Sequence, residues 1–485
     1  MVLANKPQIL YAPMLSTFGG GSTKGFIALG GDPTYYIREF GTNSNNYTTQ
    51  GVAVDSNDNV IVGGYANSIS GGPSGDYGWV HKFTKGGSLD WARDISNANG
   101  NAINFTDVAV DSNDNVFTTG FSRTPNKDHM INKWNSSGTI QAAQTYGTNS
   151  HSDEFGIAIA VDYDDKAVVV GNYDPSGNAG TFQRINNDLG SIVADKRISG
   201  TSNASTFTDV AAYDGNGNTS LAKHLYIGSD ENYSSRFSAQ VRQLNLTANP
   251  ENSFVIRFGA SNRNTFGWMV ETGPSDGIVF GGQTDIGTTS GAAGWISFFT
   301  ADTSGNVTTS RHAWSRLIDS SGTDKVTGAA LDSSNNVYVV CNCAPSGANG
   351  SGNRIGILKF NGSGTLQWSR VMTVTGGFGD PYMRMNSDGN LVIASYFSNT
   401  SSRNQGFYMV YPSDGSITGT GFVGLTRTFT IDEANASSLL TITSETPTRA
   451  SYAPTFGNSN YSLASSTGVA ASGDRTTNNK TTSIE

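Results

Sequence analysis

Short runs of Val, Ile, Phe, Tyr and Leu alternate with clusters of Asn, Asp, Ser and Gly along most of this chain. Apolar and polar positions alternating with a period of two mark strands, because successive side chains leave opposite faces of an extended backbone. The Asx and Gly clusters supply turns: they bond to nearby backbone and accept left-handed conformations. The pattern predicts many short antiparallel strands joined by tight turns.

The strands recur in a fixed unit. Val52-Ala53-Val54-Asp55-Ser56-Asn57-Asp58-Asn59-Val60 returns as Val108-Ala109-Val110-Asp111-Ser112-Asn113-Asp114-Asn115-Val116. Looser copies align at Asp162, Asp214, Gly273, Asp332 and Asn386, with successive copies 51 to 59 residues apart. Each opens with a hairpin, Gly51–Asp55 and Val60–Gly64 in the first. A second hairpin follows, where Gly87-Ser88-Leu89-Asp90-Trp91-Ala92-Arg93 matches Gly364-Thr365-Leu366-Gln367-Trp368-Ser369-Arg370. Two hairpins make a four-stranded meander. Such a unit cannot cover both its faces alone, so the copies must stack in a ring, and the expected fold is an all-β propeller of four-stranded blades.

These copies resemble the bacterial seven-bladed β-propeller repeat family, over about residues 50 to 420. The resemblance implies architecture and little chemistry. The ends leave the blade count open. Gly25–Pro33 with Tyr35–Gly41 looks like the second half of a blade, and Arg427–Asp432 with Leu439–Ser444 like a first half. Joined, they form an eighth blade shared between the termini, the favoured arrangement; otherwise seven blades leave both fragments outside. The expected divisions are a Gly-rich docking arm at 1–24, the propeller at 25–444 and a Ser/Thr/Asn-rich arm at 445–485.

Composition narrows the function. A net charge of −9 and the lack of any Lys/Arg cluster speak against nucleic acid. No apolar stretch is long enough for a membrane span, and the first residues, broken by Pro7 and Pro13, do not read as a secretory signal. The segment Ala12-Pro13-Met14-Leu15-Ser16-Thr17-Phe18-Gly19-Gly20-Gly21-Ser22 resembles leaders of virion structural proteins in marine tailed phages. That resemblance implies a virion component, made in a host cytoplasm, whose two arms dock on other virion subunits.

Little in the sequence points to catalysis. Cys341 and Cys343 fall on one side of a strand and read as reduced, buried hydrophobes. His81, His129, His151, His224 and His312 show no paired spacing, and exposed strand or loop positions are expected for them. Gly419-Thr420-Gly421-Phe422-Val423-Gly424 fits a dinucleotide fingerprint by chance and lacks a following helix. Asp55, Asn57, Asp58 and Asn59 offer oxygen ligands for calcium, but turn chemistry explains them and no distal Glu follows. No cofactor, metal or catalytic residue is expected. Meander topology places the long second-to-third and inter-blade loops on one face, where recognition is expected. The candidates there are Asp76, Tyr77, Asp174, Glu231, Tyr233 and Phe397, since aromatics beside carboxylates and amides suit a glycan. The expected function is a non-enzymatic structural or adhesive virion protein. The alternatives are a bacterial surface adhesin for glycans and a polysaccharide-degrading propeller, which requires acids and histidines gathered across the ring.

Overall fold

The Asx turns fold as their chemistry requires. In the first, Asp55 Oδ1 accepts the backbone N–H groups of Asn57 and Asn59, both at 2.9 Å, and Asp58 takes a left-handed φ of 61°. The computed structural model describes the strands and tight turns from Tyr35 to Asn479. Outside the described residues lie 1–34, 42–45, 68–75, 98–101, 124–126, 148–152, 175–178, 200–204, 214–223, 234–235, 246–251, 259–263, 286–290, 303–306, 308, 321, 345–352, 399–402, 424–427, 434–440, 445–448, 452–454, 458–461, 466–474 and 480–485.

Seven antiparallel sheets each contain a four-stranded blade. Their innermost strands are Tyr47–Val54, Ile103–Val110, Asp153–Val161, Ser205–Tyr213, Thr265–Thr272, Thr323–Leu331 and Tyr382–Met385, and these define blades 1 to 7. Each innermost strand packs against the next, and the seventh against the first, so the ring closes. Every blade is covered on both faces, which is why middle strands such as Tyr77–Phe83 and Val337–Ala344 are buried almost end to end. The cores lie between blades; one joins Tyr36, Phe40 and Tyr408 of blade 7 to Val62, Trp79 and Phe83 of blade 1. Among the described residues the one helical element is the 3-10 turn Thr309–Arg311, and no helix is long and apolar enough to cross a membrane.

The ring has seven blades, one of the two counts the sequence left open, and the shared eighth blade that its ends favoured does not form. Blade 7 takes three strands from 382–411, and its outer strand is Tyr36–Phe40, paired antiparallel with Asn404–Tyr411. Position for position, Tyr36 and Arg38 do what Trp91 and Arg93 do in blade 1. Arg38 Nε donates to Gly87 O of the next blade at 2.9 Å, as Arg93 Nε donates to Gly138 O at 2.7 Å and Arg370 Nε to Gly415 O at 2.9 Å. The receiving glycines have positive φ and lie flat under the aromatic: a Cβ on Gly138 would stand 2.6 Å from Trp91. Residues 25–30 lie outside the described residues.

With the fourth place of blade 7 filled, the chain beyond Tyr411 cannot add a blade. It runs back along the rim instead. Thr428–Glu433 pairs with the outer strand of blade 6, and Gly419–Val423 pairs with it in turn. Thr441–Ser444, Arg449–Ser451, Thr455–Gly457, Ser462–Ser465 and Arg475–Asn479 then add a fifth strand to blades 5, 4, 3, 2 and 1 in that order. The two fragments expected to form one hairpin therefore sit on different blades. Covering exposed strand edges is a general need of open sheets, and here a Ser/Thr/Asn-rich segment meets it.

Candidate binding face

The two faces of the ring differ. On the face of the tight turns, each Asx turn is fastened to its neighbour. Asp114 accepts the N–H and hydroxyl of Ser56, both at 2.9 Å. Asp165 does the same for Ser112, at 3.0 and 2.6 Å, and Asp58 for Ser387, at 2.8 and 2.7 Å. The repeated Asp-Ser-Asn-Asp is thus a staple: the first Asp closes its own turn and the second, at positive φ, holds the preceding blade. Burial opposes ionisation of Asp55 and Asp58, but Lys82 with Asn59, and Lys85 with Ser387, outweigh it and hold both carboxyls below their usual range. These oxygens serve the fold. Among the described residues no group of three or more His, Cys, Asp and Glu could hold a metal ion.

The axis carries a second set of charges. Each of the first six inner strands has a one-residue bulge where it enters the ring. Just after the bulge stand Asp107 in blade 2 and Asp209 in blade 4. Asp107 accepts the N–H of Val108 at 2.8 Å and, across the seam, that of Ile159 at 3.0 Å. Asp209 accepts Val210 and Val270 in the same way, both at 2.8 Å. Glu271 is paired with Arg384 at 3.1 Å. Burial pushes Asp107 up to about 6, against the pull of Arg384. Burial and the neighbouring Asp107 push Asp209 up to about 8. The sequence gives no local sign of this cluster, because its members come from four different repeats.

The loop face is where the repeat gives way. Phe237 and Trp268 are 37% and 39% exposed, and Phe266 lies between them, 5.0 and 6.4 Å from each. Lys325 Nζ sits 5.2 Å from the Trp268 ring centroid. Lys325 is also paired with Asp380 of blade 7, and Asp380 accepts Asn342 Nδ2 at 2.8 Å. On blades 2 and 3, Lys127 Nζ lies 5.5 and 5.4 Å from the rings of Phe121 and Phe155. Between blades 6 and 7 a cleft of about 440 Å³ is lined by Lys325, Asn342, Asn353, Asp380, Tyr396 and Asn404, among others. Blade 7 lacks the entry bulge; Gly376-Gly377-Phe378-Gly379-Asp380 stands there instead, with Phe378 bridged to Phe397.

The residues singled out from sequence divide. Tyr77 is 3% exposed and bonds Tyr47 Oη at 3.1 Å; Phe397 is fully buried beside Phe407. Both are core side chains, out of reach of a ligand. Asp76 is half-buried at the seam of blades 1 and 2, where its carbonyl accepts Ile103 N at 3.0 Å; burial raises its carboxyl while Arg123 opposes. Asp174 pairs in register with Asp153, Glu231 with Ser205, and Tyr233 with Arg236; their side chains lie outside the described residues. Of the three whose side chains are described, Tyr77 and Phe397 are core residues, and Asp76 alone remains at the surface of a seam. Two histidines also differ from expectation. His81 is buried, 4.8 Å from Trp79, and His129 is buried between Thr119 and Gln183, its desolvation pushing it down to about 4. His312 bonds Ser315 Oγ at 2.7 Å; His151 and the His224 side chain lie outside the described residues. Cys341 and Cys343 are free, buried and on one side of their strand.

Seven four-stranded blades around one axis define the class: the chain is a seven-bladed β-propeller. No family model and no curated protein matches the sequence. Among solved structures it is similar to a protein of unknown function from Dyadobacter fermentans, at 9% identity and a TM-score of 0.41, over 78% of this chain and 100% of that one. It is similar to an α-L-arabinofuranosidase from Fusarium graminearum at 10% and 0.40, over 79% and 98%. It is also similar to Chaetomium thermophilum Sqt1, bound to the N-terminus of a ribosomal protein, at 8% and 0.40, over 77% and 98%.

Proposed function

We propose that this propeller is a non-enzymatic recognition platform of a tailed-phage virion, turning its loop face toward a glycan or receptor on the host surface. One observation carries the recognition half: exposed aromatics, the Lys325–Asp380 pair and a cleft all fall on the face where the repeat is broken. Concave sites with aromatic walls and a few placed polar groups are what small ligands occupy. The virion half rests on the leader Ala12–Ser22, with residues 1–24 and 445–485 as the segments that hold neighbouring subunits; the second also pairs along the rim of its own ring.

The acids at the axis favour a second reading, a polysaccharide-degrading propeller, because carboxyls with raised affinity for protons suit acid catalysis. Against it, all four oxygens of Asp107 and Asp209 accept backbone N–H groups. Incubating the full chain with host envelope polysaccharide separates the two. Retention of polymer without new reducing ends is the expected result; steady release of reducing ends, abolished by Asp209→Asn, would establish the enzyme. Immunogold labelling of particles tests the virion half, with label expected on the particle and label on cell surfaces alone contradicting it.

A further inference from the structure

We infer that the cleft between blades 6 and 7 is a subsite for an uncharged sugar unit with two adjacent hydroxyls, an assignment that rests on reading the loop face as a glycan platform. The cleft exists because blade 7 breaks the repeat. Gly376 and Gly377 have φ of 105° and 79°, and a Cβ on Gly376 would stand 2.6 Å from Ser398 O. Only glycine lets this backbone lie so close to the neighbouring strand end, leaving the space above it open.

The lining selects against charge. Lys325 and Asp380 neutralise each other across the seam, and the other polar groups there are amides and hydroxyls, Asn342, Asn353, Tyr396 and Asn404 among them. A uronate, sialate or sulfate would find no uncompensated cation. Adjacent hydroxyls suit the pair well, since each hydroxyl both donates and accepts: one accepts from the Lys325 ammonium while its neighbour donates to the Asp380 carboxylate. Asn342 fixes the carboxylate in place. A further acceptor waits in the wall. Asn353 Oδ1 is buried with no hydrogen-bond partner among the described residues, a state that a donor would relieve. Asn353 lines the cleft, and a sugar hydroxyl supplies such a donor once the amide turns toward it. Tyr396 forms one aromatic wall, and beyond Lys325 the exposed Trp268 offers its face to the next unit of a chain.

The test is calorimetric titration of the full chain with maltotetraose, cellotetraose, mannotetraose and galactotetraose, beside tetragalacturonate and sialyllactose. Binding of at least one neutral sugar, with little or none of the acidic ones, is expected. Asn353→Ala and Tyr396→Ala should each weaken it about tenfold, the equivalent of roughly 1.4 kcal/mol. Thr323→Trp, which fills the cleft from its exposed rim beside Lys325, should abolish it. Neutral binding unchanged in all three variants would overturn the cleft assignment and leave the glycan platform standing. Preference for the acidic sugars would overturn the chemistry assigned to the cleft. No binding of any sugar would bring down both the cleft and the glycan reading of the loop face.

Discussion

The turn face and the loop face are built from the same seven repeats, but they treat polar side chains in opposite ways. On the turn face an aspartate in one blade finds the same serine N–H and hydroxyl in the blade before it, three times around the ring. On the loop face the described strand ends carry Phe237, Trp268, Lys325 and Tyr396 at different places in different blades. Identical neighbours allow identical contacts, so the turn face keeps its sequence. A face that meets something other than itself has no such constraint. Loop positions on a rigid scaffold are where binding residues collect.

The largest effect should come from breaking a turn-face seam. Trp314 packs on Phe298 at 5.6 Å, bonds Gly362 O at 3.1 Å and covers Gly364 of the next blade. Trp314→Ala should cost about 3–5 kcal/mol, read as a shift in the urea midpoint; glycan binding by surviving folded protein should be unaltered. Next comes a single staple. Asp114→Ala leaves Ser56 without its partners and should cost about 1–3 kcal/mol, again with no change in binding. Truncation after Val423 removes the rim strands and exposes the outer edges of six blades; light scattering should then report association through those edges.

Proton linkage gives a finer contrast, because the two sets of aspartates have opposite signs. Asp55 and Asp58 hold their protons less tightly in the folded ring, so their contribution is present above about pH 4 and lost below it. Asp107 and Asp209, pushed up to about 6 and about 8, hold theirs more tightly. Their contribution is full below about pH 4 and falls as pH rises toward 8. Thermal midpoints should therefore peak in mildly acidic solution, and Asp209→Asn should flatten the alkaline limb only. The smallest effect is expected at Asn353, where removing an unpartnered acceptor should move stability by no more than about 0.5 kcal/mol while weakening binding.

What the sequence makes legible follows from the same contrast. Asp55–Asn59 and Asp111–Asn115 are identical because they pack on each other, so the period and the blade are readable. The blade count is readable only if Tyr36-x-Arg38 is set beside Trp91-x-Arg93 and recognised as the missing outer strand of blade 7. The loop-face candidates turn on strand parity: Tyr396 faces the cleft and Phe397, one residue on, faces the core. Proximity to a loop does not fix that choice. The Gly376–Asp380 segment, the one entry without a bulge, is visible as a departure from the repeat, but its meaning depends on Lys325 and Tyr396, which come from elsewhere in the chain.

The most direct measurement of the account is hydrogen exchange of the full chain with and without host envelope glycan. Protection gained at peptides covering 323–326, 376–382 and 394–398, with those covering 55–59, 111–115 and 162–166 unaltered, is the predicted result. Protection confined to the turn peptides would contradict the assignment of recognition to the loop face.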